Sequence, residues 1–203
     1  MTTPAFQRSP DEQLEPGHGA CLWRWQGLLG EAAGPVADRL YRELPWEQPR
    51  IRLYGSWKPV PRLQSWHGDP GASYRYSGLQ MQPAHWHPAL SQIREQVQKV
   101  LGLPFNSVLA NLYRDGQDAM GWHADDEPEL GPEPWIASYS MGATRRFSFR
   151  PRDGGPERLR LDLLDDELLL MNPAVQRHWQ HALPRTRRCQ HWRINLTFRQ
   201  IQA

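Results

Sequence analysis

Apolar residues recur at intervals of three and four between Pro88 and Gly102: Leu90, Ile93, Val97, Val100 and Leu101. That spacing draws one apolar stripe down a helix, with proline at its start and glycine just past its end. A second, shorter helix is predicted from Pro35 to Leu44, followed by Pro45. Beyond Gly102 the period changes to two. Strands are predicted at Ser107–Tyr113, Trp135–Met141, Arg145–Arg150, Leu159–Leu164, Leu168–Met171 and Arg193–Phe198. Asp153-Gly154-Gly155 supplies a hairpin turn between two of them. Earlier, Arg50-Ile51-Arg52-Leu53-Tyr54-Gly55 alternates and ends in glycine, which predicts a strand and a turn. Residues 56–88 are irregular and rich in proline and aromatics, the composition of a lid or of binding loops on a scaffold. The lid is taken to span roughly 50–88. Residues 1–20 are polar and rich in proline and glycine, so a flexible tail is expected there, with a single domain over 21–203.

Helices followed by many short strands make an α+β chain. Its strand-rich C-terminal half is expected to close into a double-stranded β-helix, or jelly roll. A chain of 203 residues suits one such domain. Apolar runs are only a few residues long, as in Leu168-Leu169-Leu170-Met171, so no transmembrane helix is expected. The first ten residues hold no apolar h-region, and Cys21 and Cys189 alone make neither a disulfide framework nor a cysteine-rich zinc site. A reducing, cytoplasmic setting and a monomer are the default expectations.

Charge changes the picture more than its sum of +2 implies. Lysine occurs only at Lys58 and Lys99, so 22 of the 24 basic residues are arginine. Residues 1–144 hold 12 basic and 16 acidic residues, whereas 145–203 hold 12 and 6. An acidic part joined to an arginine-rich part points to an anionic partner.

Two motifs carry candidate chemistry. His123-Ala124-Asp125 places an imidazole and a carboxylate on the same side of a strand end, where both reach one ion. His178 and His181 are each candidates for a third ligand. Two histidines and one carboxylate form the facial triad that holds Fe(II) and leaves adjacent positions open for a cosubstrate and dioxygen. The second motif is Arg193-Ile194-Asn195-Leu196-Thr197-Phe198-Arg199. Alternation puts Arg193, Asn195, Thr197 and Arg199 on one face and the three apolar residues on the other. A polar row turned into a barrel must satisfy something there. Two planar arginine forks match the two carboxylates of a small dicarboxylate.

Asn111-Leu112-Tyr113, His123-x-Asp125, the distal His181 and Arg193-x-Asn195-x-Thr197-x-Arg199 together resemble the AlkB family, near the branch of animal DNA-repair homologues 2 and 3. The resemblance runs from about Arg50 to Ile201. It implies an Fe(II)- and 2-oxoglutarate-dependent dioxygenase with His123, Asp125 and His181 as metal ligands, His178 being passed over. It also implies 2-oxoglutarate contacts from Asn111, Tyr113, Arg193, Asn195, Thr197 and Arg199. In that reading Arg193 takes the distal carboxylate and Arg199 lies by the chelating end. The implied activity is oxidative demethylation of N-alkylated DNA bases, such as 1-methyladenine and 3-methylcytosine. 2-Oxoglutarate and O2 would be consumed to succinate and CO2, and formaldehyde released.

A buried base must leave its stack to be treated in this way. The resemblance makes Tyr54 a wedge that fills the gap. It makes Tyr76 and His123 the two faces that sandwich the flipped base, with Asp126 and Glu127 lining its pocket. Arg145, Arg146, Arg150, Arg152, Arg185, Arg187 and Arg188 are candidates for phosphate contact. The expected partner is DNA in preference to RNA. The rivals are an oxygenase of the same chemistry acting on RNA, protein or a small metabolite, and a non-catalytic nucleic-acid-binding module on the same barrel.

Overall fold

The computed structural model describes residues 4–53, 55–72, 74–76, 79–81 and 83–202, with the side chains of 53, 74–76 and 79–81 outside that set. Among the described residues, fifteen strands and three α-helices are formed: β1 Glu12–Gly17, β2 Ala20–Gln26, α1 Ala33–Glu43, β3 Arg50–Leu53, β4 Ser56–Pro59, β5 Leu63–Gly68, β6 Tyr74–Tyr76, β7 Leu79–Met81, α2 Pro88–Leu101, β8 Ser107–Tyr113, β9 Met120–His123, β10 Ile136–Gly142, β11 Arg145–Pro151, β12 Leu159–Leu163, β13 Glu167–Met171, α3 Pro173–His178, β14 Trp179–Leu183 and β15 Arg193–Arg199. The larger sheet runs β1-β2-β13-β10-β15-β8-β5, and the smaller runs β12-β11-β14-β9. β3–β4 and β6–β7 form two separate hairpins. The two main sheets face each other as a jelly roll, the architecture expected from the strand pattern.

Alternation along the strands of the larger sheet explains both of its faces. On β13, Leu168 and Leu170 enter the core beneath α1 and α2, while Leu169 and Met171 enter a second core between the sheets. On β15, Ile194, Leu196 and Phe198 join the helix-side core. The opposite row, Arg193 to Arg199, is thereby turned into the barrel. α2 contributes Leu90, Ile93, Val97 and Leu101 as one buried stripe. Its ends are set by sequence: the His87 imidazole caps the Ala89 amide, Pro88 occupies the first turn, and Gly102 closes the helix at φ +66°. Burying each such Leu or Ile contributes about 1.5–3 kcal/mol.

Two expectations need correction. The flexible tail is instead part of the fold from residue 4 onward. β1 pairs with β2, and the Phe6 ring meets Trp23 and Trp25 edge-on at 5.4 and 5.1 Å. Its polar composition reflects an edge strand with one wet face. The region 56–88 is more regular than expected, because β5 within it pairs with β8 as a member of the larger sheet. The hairpins on either side of β5 belong to neither main sheet. Strand β14 and helix α3 have no counterpart among the predicted elements, and β9 corresponds only to the strand end expected at His123.

Candidate active site

β9 and β14 pair antiparallel with His123 directly opposite His181. The two imidazoles are therefore a cross-strand pair, with ring centroids 4.3 Å apart. Asp125 lies two residues beyond the end of β9 and joins them. One potential ligand atom from each of His123, Asp125 and His181 lies within 4.8 Å of the others. His178 does not take part. It sits exposed at the end of α3, its ring 5.9 Å from that of His18. Residue 181 lies within β14 and points into the barrel, whereas residue 178 precedes that strand altogether.

The protonation states suit a metal. His123 Nδ1–H donates to the Gly121 carbonyl at 2.9 Å, which leaves the Nε2 lone pair for a ligand bond. Burial, and then the neighbouring His181, bring the His123 imidazole down to about 4, so it is neutral at neutral pH. Burial pushes the Asp125 carboxyl up. Arg199 and His181, followed by His123, overcome that and hold it well below the ordinary carboxylate range. Arg199 Nη2 donates to Asp125 Oδ1, while Asp125 Oδ2 faces His181 Nε2 at 3.6 Å. Two imidazoles, that of His123 neutral, and one ionised carboxylate form the nitrogen–oxygen donor set that Fe(II) accepts.

The opposite wall of the cavity is polar. Asn111, Tyr113, Arg193, Asn195, Thr197 and Arg199 all line the same cavity as the three ligands. Arg193 is only 2% exposed, and its Nη2 donates to Ser140 Oγ at 2.8 Å. Its Nε has no hydrogen-bond partner among the described residues. Burial pushes this guanidinium down to about 10, still cationic at neutral pH. A buried cation with an unused donor calls for an anion. Asn195 Nδ2 donates to Ser138 Oγ at 2.8 Å, and Thr197 Oγ1 donates to Asn195 Oδ1 at 3.1 Å. Asn111 Oδ1 accepts from Arg62 Nε at 2.9 Å. The donors of this wall fit a dicarboxylate.

Sequence reasoning missed several contributors. Ser138 and Ser140 alternate with Ala137, Tyr139 and Met141 on β10, and Ser138 pairs with Thr197 while Ser140 pairs with Asn195. Two serines at period two in an apolar strand were a legible sign of a polar row opposite. Phe147, whose ring lies 5.1 Å from His181, and Gln176, on α3, had no such signal.

The expected substrate residues are placed less uniformly. Tyr54 lies outside the described residues. Tyr76 is on β6, with its side chain outside them. Asp126 is exposed and pairs with Arg152 at 2.6 Å. Glu127 is half-buried at the start of a short 3-10 turn. Neither acid is among the residues lining the cavity. Arg145 is not available for phosphate. It is buried, and its guanidinium donates to the carbonyls of Asp115, Asp118 and Pro184 at 2.8–2.9 Å. It ties together loops that no sequence period reveals. Arg146 pairs with Asp162, and Arg150 donates to Gln180 while lying 4.4 Å over the Trp122 ring. Arg185, Arg187 and Arg188 are exposed on the loop after β14.

Comparison with known proteins agrees with this geometry. The family model of the 2OG-Fe(II) oxygenase superfamily matches residues 28–199. The chain belongs to that superfamily. It is thus an Fe(II)- and 2-oxoglutarate-dependent dioxygenase, and within the superfamily it stands near the animal AlkB homologues 2 and 3. It is 43% identical over 188 residues to "DNA oxidative demethylase ALKBH2" from Mus musculus, covering 86% of this chain and 77% of that one. The Homo sapiens protein of the same name is also 43% identical over 188 residues, with 86% of this chain and 71% of its own covered. "Alpha-ketoglutarate-dependent dioxygenase alkB homolog 3" from Bos taurus is 42% identical over 178 residues, covering 83% of this chain and 62% of that one. A solved structure titled "The structure of OsALKBH1" superposes with a TM-score of 0.63 at 17% identity, over 93% of this chain and all (100%) of that one. That likeness concerns the fold. Among the described residues no helix is long and apolar enough to cross a membrane.

Proposed function

We propose that this dioxygenase is a DNA oxidative demethylase that repairs N-alkylated bases of the 1-methyladenine and 3-methylcytosine type. 2-Oxoglutarate and O2 are consumed to succinate and CO2, and the methyl carbon leaves as formaldehyde. The observation that carries the proposal is 43% identity over 188 residues to proteins named for this activity. A cavity that unites His123, Asp125 and His181 with a polar wall supports it.

Each residue has a role under this reading. His123 through Nε2, His181 and the Asp125 carboxylate hold Fe(II). When bound, the iron supplies the oxidising chemistry by which dioxygen and 2-oxoglutarate are spent on the alkyl carbon. Arg193 receives the distal carboxylate of 2-oxoglutarate with its buried guanidinium. Asn111, Tyr113, Asn195 and Thr197 orient the chain of the cosubstrate. Arg199 neutralises the chelating end and holds Asp125. Phe147 covers the His181 ring and keeps water from it.

The base is met from outside the barrel. The β3–β4 hairpin carries Arg50, Arg52 and Lys58 together with Trp57, which is 61% exposed. A basic, aromatic hairpin suits contact with a duplex. Tyr54, which lies between β3 and β4 in the sequence, is assigned as the wedge. Tyr76 and His123 are assigned to the faces of the flipped base, with Asp126 and Glu127 at its rim. Arg185, Arg187 and Arg188 take phosphates.

Formaldehyde release from matched single-stranded and duplex DNA, from RNA and from free 1-methyladenosine tests the proposal. DNA is expected to be turned over faster than RNA, and the free nucleoside hardly at all. Equal turnover of the free nucleoside, or none of DNA, overturns it.

A further inference from the structure

We infer that Gln176, backed by Arg152, is a positioning residue that fixes the carboxylate ligand Asp125. The inference rests on the assignment of His123, Asp125 and His181 as the metal site.

The ladder ends at His123, so no sheet partner holds the backbone of Asp125. A buried amide must nevertheless find an acceptor. That of Asp125 donates to the side-chain Oε1 of Gln176 at 2.9 Å. Gln176 is only 1% exposed, and its Nε2 lies 3.7 Å from Met171 Sδ. A buried amide side chain is costly unless its oxygen is engaged, and here the engagement is with a ligand's own backbone. A second tie runs over the outside. Arg152 Nη1 donates to the Gln176 carbonyl at 3.0 Å and to Asp126 Oδ2 at 2.6 Å. One guanidinium thus joins α3 to the residue that follows the ligand.

α3 is itself anchored, which makes the tie rigid. Asn172, at its N-terminus, donates from Nδ2 to the Gly19 carbonyl and accepts from the Cys21 amide, each at 3.0 Å. The Trp179 indole donates to the Gly17 carbonyl at 3.4 Å. The support therefore runs from the β1–β2 hairpin, through α3 and Gln176, to Asp125. Gln176 touches neither the metal nor the cosubstrate. It acts through the orientation of a ligand, and loss of such a support weakens metal binding by about 10- to 100-fold.

Titrating metal-free protein with Mn(II), followed by electron paramagnetic resonance, separates this role from general stability. Gln176→Met keeps the shape and removes the acceptor, and is expected to bind Mn(II) about 10- to 100-fold more weakly. Gln176→Glu keeps an acceptor oxygen and is expected to bind more tightly than the Met variant. Arg152→Ala, at the surface, is expected to lose affinity severalfold with its apo melting temperature unchanged. Wild-type affinity in Gln176→Met, or no advantage of Glu over Met, overturns the inference. Should Gln176→Met fail to fold, unchanged affinity in Arg152→Ala overturns it. Wild-type protein that binds no Mn(II), or His181→Ala that binds it normally, overturns the underlying metal assignment instead.

Discussion

The two walls of the cavity are built differently. The cosubstrate wall is β15, a central strand paired along its whole length with β8 and from Arg193 to Phe198 with β10. Its polar row is spaced by the pleat itself. The metal wall joins β14, which carries His181, to β9, which carries His123 and is an edge strand of four residues paired on one side only, with a register shift between His181 and Leu183. Its third ligand lies off the strand and is held by a side chain of α3. A central strand carries its functional row at no extra structural cost. An edge strand places a ligand set only if something outside the sheet finishes the work.

Breaking the metal wall has the largest expected effect. His123→Ala or His181→Ala is expected to reduce formaldehyde release to background while the metal-free protein keeps its melting temperature. An active His181→Ala beside an inactive His178→Ala contradicts the ligand assignment. On the cosubstrate wall, Arg193→Met removes a charged donor worth about 1.5–3 kcal/mol. The 2-oxoglutarate concentration for half-maximal rate is therefore expected to rise by roughly ten- to a hundredfold. An unchanged half-saturation removes Arg193 from that role.

The same difference explains what the sequence disclosed. The row Arg193, Asn195, Thr197 and Arg199 was legible because a long central strand writes its two faces in alternate residues. The helix α2 was legible for the parallel reason at period 3.6. On the metal wall, His123 and Asp125 were legible as a pair, but spacing alone left His178 and His181 open. Family resemblance chose His181, and the strand confirms that it points inward. Gln176 was invisible, since a glutamine on a two-turn helix has no pattern to belong to. The N-terminal hairpin was misread as a tail because an edge strand with a wet face has the composition of a loop. Arg145 was misread because arginine buried on backbone carbonyls looks, in sequence, like arginine on a surface.

Acid sharpens the comparison further. His67 is buried on β5, where its Nδ1–H donates to the His85 carbonyl at 2.6 Å, and burial lowers its affinity for protons. His123, brought down to about 4 by burial and His181, behaves alike in metal-free protein. Both bind protons more readily unfolded, so stability falls as pH drops below the ordinary histidine value of about 6.5. The unfolding free energy of the metal-free protein, read from urea titrations, is expected to fall between pH 6.5 and 5, by at most about 1.4 kcal/mol per histidine per pH unit. A flat profile there contradicts the neutral, buried state of both groups. The smallest effect is expected outside either wall. Arg146 and Asp162 form an exposed pair at 3.1 Å, and Arg146→Ala is expected to change stability by less than about 1 kcal/mol. A larger loss in urea unfolding makes that face more than a solvated surface.

The central claim is that the two walls serve one reaction on a DNA base. Mass spectrometry of a DNA strand bearing a single 1-methyladenine, incubated with the protein, Fe(II), 2-oxoglutarate and O2, tests it most directly. The account predicts the unmodified strand, with one succinate and one formaldehyde for each methyl lost, and no change when 2-oxoglutarate is omitted. A strand that keeps its methyl group while succinate accumulates contradicts it.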